Sequence, residues 1–236
     1  AGDHDYIKED SFYRTFRWAT NVTFFDTEEQ HCVEIPEKNI FVYGLSFEHK
    51  EVRSPLYDEW KPVNKPGFHV LLAHGGDLSC CPMDFTGLAA AGFDYVALGH
   101  SHKPHTVCRD KIAYSGSLEP LDRNDLGKHG YIQGEYEDGN VKVRLVPCAN
   151  RSYQNLVLNV DRDTTQYKLE EMLRSEVMRR GGRNIYRLIL KGRVSPDNVL
   201  LTERLHGLGN IVEIMDESRP AYNIEELYRQ YRGTLI

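Results

Sequence analysis

The sequence predicts an α/β protein: a mixed-sheet domain over residues 1–150, followed by a smaller α+β unit over 151–236. Three observations carry this. A strand–helix–strand unit runs from Phe68 to Gly99, as FHVLLAHGG, then MDFTGLAAAG, then DYVALG. A hairpin signal follows: Glu137-Asp138-Gly139-Asn140 opens VKVRLVP, which alternates apolar and polar residues with period two. After residue 150 the pattern changes, and a new strand, NLVLNV, leads into an amphipathic helix with its own apolar face.

In chain order, residues 10–20 (DSFYRTFRWAT) read as a helix capped by Asp10 or Ser11, with Phe12 and Phe16 one turn apart and expected in the core. Residues 31–36 and 39–47 read as β-branched and aromatic strands broken by Pro36. The stretch 48–66, with Pro55, Pro62 and Pro66, reads as loop. Residues 68–73 form a buried strand that ends in His74-Gly75-Gly76. Asp84 can cap the helix that follows, and Tyr95–Leu98 form a second buried strand before Gly99. A helix crossing between them through short connections makes these strands parallel. Both therefore end on one edge of the sheet, where ligands of open α/β sheets sit, and His74, His100 and His102 converge there.

Further strands are expected around Lys111–Ser115 and His129–Glu137, the latter pairing with VKVRLVP. A boundary falls near Ala149–Ser152. Beyond it come a strand at 155–160, a helix at 164–180 ended by Gly181-Gly182, and a strand at 185–190. A helix opened by Ser195-Pro196 is expected to run to about His206, then a strand at 211–215 and a last helix at 224–231. No chemistry is evident in this second unit.

Composition is that of an ordinary globular protein, 40% hydrophobic and 27% charged. No apolar run approaches the length of a bilayer span, and AGDHDYIKED has neither the basic nor the apolar region of a signal peptide. The five cysteines are scattered without a C-x-x-C pair, so neither a disulfide framework nor a zinc ribbon is indicated, and a cytoplasmic setting is expected. Residues 1–150 carry 15 Lys+Arg against 23 Asp+Glu, and residues 151–236 carry 14 against 12. The first part is acidic, as a cation-binding domain can be. The second is only mildly basic, short of a nucleic-acid footprint by itself. An isolated H-x-H is ordinarily two loop histidines. The convergence of His74 with His100 and His102 raises a metal site above that reading, because imidazole is the commonest protein metal ligand near neutral pH. On position alone, Gly2-Asp3-His4-Asp5 would be a frayed terminus.

Taken together, GDHD at 2–5, HGG at 74–76 and GHSH at 99–102 resemble the second half of the calcineurin-like metallophosphoesterase signature, which runs D-x-H, G-D, G-N-H-[DE], H, G-H-x-H. More narrowly, GFDYVALGHSHKPH, YSGSLEPLDRND and KHGYIQGEYEDG resemble the SbcD-type DNA-repair exonuclease branch, which includes the YhaO-like proteins. The resemblance covers most of residues 1–148. It implies the second half of an α-β-β-α sandwich, with residues 151–236 as a capping domain, and two divalent metal ions, manganese foremost and iron or zinc as alternatives. It implies Asp3, His74 and His100 as ligands of the second metal, His102 as a ligand of the first, and His4 as the catalytic histidine at the leaving oxygen. It further implies DNA as substrate, a homodimer, an SMC-like coiled-coil ATPase partner and no membrane.

The chain departs from the family in two ways. Asp3 stands where Asn is usual, adding a negative charge while keeping an oxygen donor. No D-x-H occurs anywhere, and Gly76-Asp77 is a G-D pair out of motif order. The chain is therefore expected to be an internal piece of a longer protein, and the enzyme reading stands if D-x-H and G-D lie upstream of it. Two other functions remain open at this point: a small-substrate phosphodiesterase of the same fold, and a non-catalytic domain that binds a partner.

Overall fold

The computed structural model describes residues 1–222, 228, 229, 231 and 232, so most of the helix expected at 224–231 lies outside the described residues. The chain divides into two compact units. One comprises Ala1–Leu121 with Lys128–Ala149, and the other Asp122–Gly127 with Asn150–Ile236.

In the first unit a six-stranded sheet takes the order β1 (His31–Ile35), β2 (Ile40–Gly44), β3 (Phe68–His74), β4 (Tyr95–Gly99), β6 (Ile112–Tyr114), β5 (His105–Cys108). The four central strands are mutually parallel, and β1 and β5 pair antiparallel at the two edges. One face carries the core. Phe41, Tyr43, Leu71, Val96, Leu98 and Ile112 point into it, covered by Leu88 of α2 (Phe85–Ala90), by Phe93, and by Val52, Tyr57 and Trp60 of the long 48–66 segment. That segment has no regular structure but is packed, because its three apolar side chains fill the face that a crossover helix would otherwise cover. Asp84 caps α2 as expected, accepting the Thr86 N–H at 3.0 Å.

The opposite face meets a two-stranded hairpin, β7 (Gly130–Glu137) and β8 (Asn140–Pro147). Its turn has φ of 49° at Asp138 and 80° at Gly139, the left-handed pair a tight hairpin requires. Between hairpin and sheet lies a cavity of about 760 Å³, lined by Phe68, Tyr95, Ala97, Tyr131, Tyr136 and Val143 among others.

Two expectations for this unit are corrected. The helix at 10–20 shrinks to α1 (Phe12–Thr15), without a side-chain cap from Ser11. The Trp18 indole N–H takes the Tyr13 carbonyl at 2.9 Å, the acceptor that the next helical N–H would need. Trp18 then lies in a stack with Tyr13 and Phe24. Phe12 and Phe16 are not core residues; they are 60% and 48% exposed. Strand β5 was not expected: HTVC is short, and Lys103-Pro104 ahead of it reads as turn.

The second unit is built on β9 (Tyr153–Val160) and β10 (Ile185–Val194), joined through α3 (Gln166–Arg180). Strands β11 (Ile211–Asp216) and β12 (Arg219–Pro220) also pair with β10, and all three pairings are parallel. The unit is therefore of α/β type and not α+β, because a helix crossover returns the chain in the same direction. Thr165 caps α3, Leu169, Leu173 and Val177 are its buried face, and Gly181 ends it.

The helix expected from Ser195 to His206 does not form. Residues 195–201 are tied to the start of α3 and the segment before it: Asn198 Nδ2 donates to the Arg162 and Thr164 carbonyls, and the Leu201 N–H donates to Gln166 Oε1 at 2.8 Å instead of to a helical carbonyl. Only a 3-10 stretch at Thr202–Leu208 follows, burying Leu205. No described helix is long and apolar enough to cross a membrane.

Leu71 is fully buried at the centre of the sheet. Replacing it by alanine removes its transfer free energy and leaves a cavity, so Leu71→Ala is expected to cost about 2–5 kcal/mol. Urea unfolding followed by circular dichroism checks this as a lowered midpoint.

Candidate metal centre

The register of β3 and β4 places His74 beside Gly99, so the two strands end together and His100 is the next residue. Both chain exits are bent. Gly75 and Gly76 take φ of 115° and 109°, and His100 takes φ of 91°, a conformation a non-glycine residue rarely holds and one that functional sites often store. The His74 ring lies over the backbone of Gly99 and Gly2: a Cβ at residue 99 would fall 2.9 Å from His74 Nδ1, and one at residue 2 would fall 2.3 Å from the ring. Glycine at both places is a space requirement. Tyr57 supports the same histidine by accepting the His74 N–H at 3.3 Å, and Phe47 meets its ring edge-on.

The N-terminal segment is tied down. Ala1 O accepts from the Phe47 N–H at 3.1 Å, the Ile7 N–H donates to Phe47 O at 2.7 Å, and Asp5 accepts from the Gly2 N–H and the Tyr13 hydroxyl. This delivers Asp3 to the strand ends. Its Oδ1 lies 2.8 Å from His74 Nε2 and 3.6 Å from His100 Nδ1, and its Oδ2 lies 3.7 Å from His4 Nε2. The structure therefore brings Asp3, His74 and His100 together. His4 stands at the rim with its side chain 81% exposed. His102 is not part of this group: its carbonyl accepts the Ser117 N–H at 2.9 Å, and among the described residues no second cluster of three or more candidate ligands forms around it.

Two residues of the centre were not singled out from sequence. Asp77 Oδ2 accepts from His100 Nε2 at 3.0 Å, while its Oδ1 accepts the Ser79 and Cys80 N–H groups. His100 thus presents Nδ1 to Asp3 and has Nε2 fixed by a carboxylate, the supporting arrangement usual for a metal-bound histidine. Cys80 is the second, because its Sγ falls within 4.8 Å of ligand atoms of Asp3, His74 and His100. The signal for Asp77 was the G-D pair itself. No spacing rule announced Cys80, since a turn returns it to the site.

The electrostatics suit a cation. Burial would raise the Asp3 carboxyl, but the His74 hydrogen bond and the charges of His74, His4 and His100 outweigh it, so the carboxyl is held low. Burial lowers the His74 imidazole more than Asp3 raises it. The Ser79 hydroxyl, ahead of the Ser79 N–H, His100 and the Cys80 N–H, holds Asp77 down to about 2 despite some burial. At neutral pH the site is thus an anionic carboxylate facing a neutral imidazole, the protonation state that metal ligation needs. One carboxylate oxygen and two imidazole nitrogens fit a hard-to-borderline divalent cation.

A protein of Bacillus subtilis strain 168, named uncharacterized metallophosphoesterase YhaO, is 22% identical to this chain over 205 residues, which is 81% of this chain and 50% of that protein. This supports the metallophosphoesterase superfamily. A metallophosphoesterase is a metal-dependent hydrolase of phosphoric esters, and the mixed α/β architecture and the metal-competent group at the strand ends are consistent with one. The chain spans about half the length of this relative. No family model matches it.

Two outcomes follow from the geometry. Asp77→Ala frees the His100 ring, and titration calorimetry with zinc or manganese is expected to show affinity weakened by roughly 10–100-fold. The metal-free protein should also lose stability on acidification. The unfolded chain protonates His74 near its ordinary pKa of about 6.5, the folded chain only at lower pH, so between the two unfolding takes up a proton. His74→Gln is expected to flatten the fall in melting temperature below about pH 6.5. An unchanged slope would remove His74 as its source.

Proposed function

We propose that this chain is the metal-holding part of a metal-dependent phosphodiesterase of nuclease type, with DNA as the substrate of the longer protein. The observation that carries the reading is the convergence of Asp3, His74 and His100 at the ends of parallel strands, beside an open histidine, His4. The likeness of GFDYVALGHSHKPH and its flanking segments to the SbcD-type branch supports DNA as substrate. On the same basis residues 151–236 act as the capping domain that engages DNA, with a second copy of the protein and an SMC-like ATPase as partners.

A phosphodiester resists attack because its anionic oxygens repel nucleophiles, and Asp3 and Asp77 add to that repulsion. A divalent ion held by Asp3, His74 and His100 would offset it, polarising phosphoryl oxygen and acidifying bound water. Asp77 fixes the ring of His100, Tyr57 and Phe47 fix His74, and Gly2 and Gly99 leave the space that His74 occupies. His4 is the solvent-facing group, placed to steady the leaving oxygen and hand it a proton. Its Nε2 lies 3.7 Å from Asp3 Oδ2, at the edge of the ligand cluster.

Among the described residues there is one such cluster, so this chain by itself is expected to bind one metal tightly and to hydrolyse slowly. Metal analysis after gel filtration, together with turnover of a chromogenic phosphodiester and of duplex DNA ends, tests this. His4→Ala should lower turnover while leaving metal content intact. Two tightly held metals with brisk turnover would overturn the single-centre reading. Cleavage of small diesters, with DNA untouched by the longer protein, would move the substrate to a nucleotide or similar small molecule.

A further inference from the structure

The loop after β3 does more than connect. Gly76 N–H donates to the carbonyls of both Cys80 and Cys81 at 2.9 Å, and Asp77 and Cys80 form an antiparallel bridge, so the chain leaves His74, turns at Asp77 and comes straight back. The Tyr114 hydroxyl pins the outgoing limb through Gly75 O at 2.7 Å, and the Cys81 N–H pins the returning limb through Val52 O at 2.6 Å. Cys80 is 4% exposed, and its Sγ shares a 4.8 Å neighbourhood with ligand atoms of Asp3, His74 and His100. A cysteine serving only as core filler has no need of two imidazoles and a carboxylate around its sulfur.

We propose that Cys80 supplies a fourth donor, a thiolate sulfur, to the cation held by Asp3, His74 and His100, and that the centre therefore selects zinc over manganese. The inference rests on the metal-centre reading above and adds a ligand and an ion preference to it. Four donors of S, N, N and O type match the tetrahedral habit of zinc, whose bonds run ~2.0–2.3 Å, whereas manganese favours oxygen-rich octahedral surroundings. Without a cation the thiol keeps its proton: burial, with the charges of Asp3, Cys81 and Asp77 acting the same way, pushes it up to about 12. On binding, the sulfur–metal bond forms as the S–H bond breaks, and the proton leaves to solvent.

Cobalt(II), a spectroscopic stand-in for zinc, tests this on the whole chain. The expected spectrum of the wild-type protein has visible ligand-field bands of tetrahedral intensity and a near-ultraviolet sulfur-to-cobalt charge-transfer band. Cys80→Ser should lose the charge-transfer band and keep cobalt. Zinc affinity should fall by about tenfold or more, while manganese affinity barely moves. Cys81→Ser, at the neighbouring thiol, should keep the band. Ligand-field bands without charge transfer in the wild type would overturn the thiolate and leave the metal centre standing. Absence of any cobalt, zinc or manganese uptake would overturn the centre itself. The wild-type spectrum decides between these outcomes even where a Cys80 variant fails to fold.

Discussion

The pairing of His74 with Gly99 governs this molecule's candidate centre. In a parallel pair, the residues that leave two neighbouring strands at the same level are set by register alone, and here that level puts a histidine against a glycine. A side chain at residue 99 would strike the His74 ring, so the glycine makes room on one side and Gly2 makes room on the other. Once that ring is seated, Asp3 has a partner at 2.8 Å, and His100, one residue further on, turns toward the same carboxylate. A slip by one residue would send the imidazole to the opposite face of the sheet and dissolve the cluster.

The charge arrangement follows from that seat. Three acidic side chains, Asp3, Asp5 and Asp77, crowd near the strand ends, and each accepts hydrogen bonds that favour its ionised form. Their bond donors are distinct: imidazole for Asp3, a backbone amide and a tyrosine for Asp5, and a serine turn with His100 for Asp77. Such a concentration of negative charge beside the neutral His74 ring makes sense around a cation and works against an anionic substrate arriving alone.

Much of this was legible in the sequence. The strand–helix–strand unit, the hairpin turn and helix α3 each follow a periodic pattern with a capping or turn residue, and periodicity reports a face directly. His74 and His100 were legible because short motifs fall at the ends of apolar runs, whereas Asp3 came only from the resemblance of GDHD to a family motif. The aromatic segment after Ser11 was misread because the same spacing serves a helix face and a stack, and the Trp18 indole chooses the stack. The 195–206 segment carries good helix-start residues, yet Gln166 and Asn198 spend their side-chain bonds holding it to the start of α3 and the residues just before it. Cys80 was beyond reach because a turn, not a period, returns it to the site, and Asp77 lay in a G-D pair that was set aside for standing out of motif order.

The left-handed backbone at His100 has one more implication. A histidine at φ 91° is held away from its preferred conformation, at a cost of order 1–3 kcal/mol, by the bond from its ring to Asp77 and by the strand that ends beneath it. The donors are thus ordered during folding and do not wait for an ion to gather them. An arriving ion finds little conformational entropy left to remove, so most of its binding free energy remains as added stability of the folded chain, by mass action. In such a protein an added ion is expected to raise heat resistance in step with its occupancy.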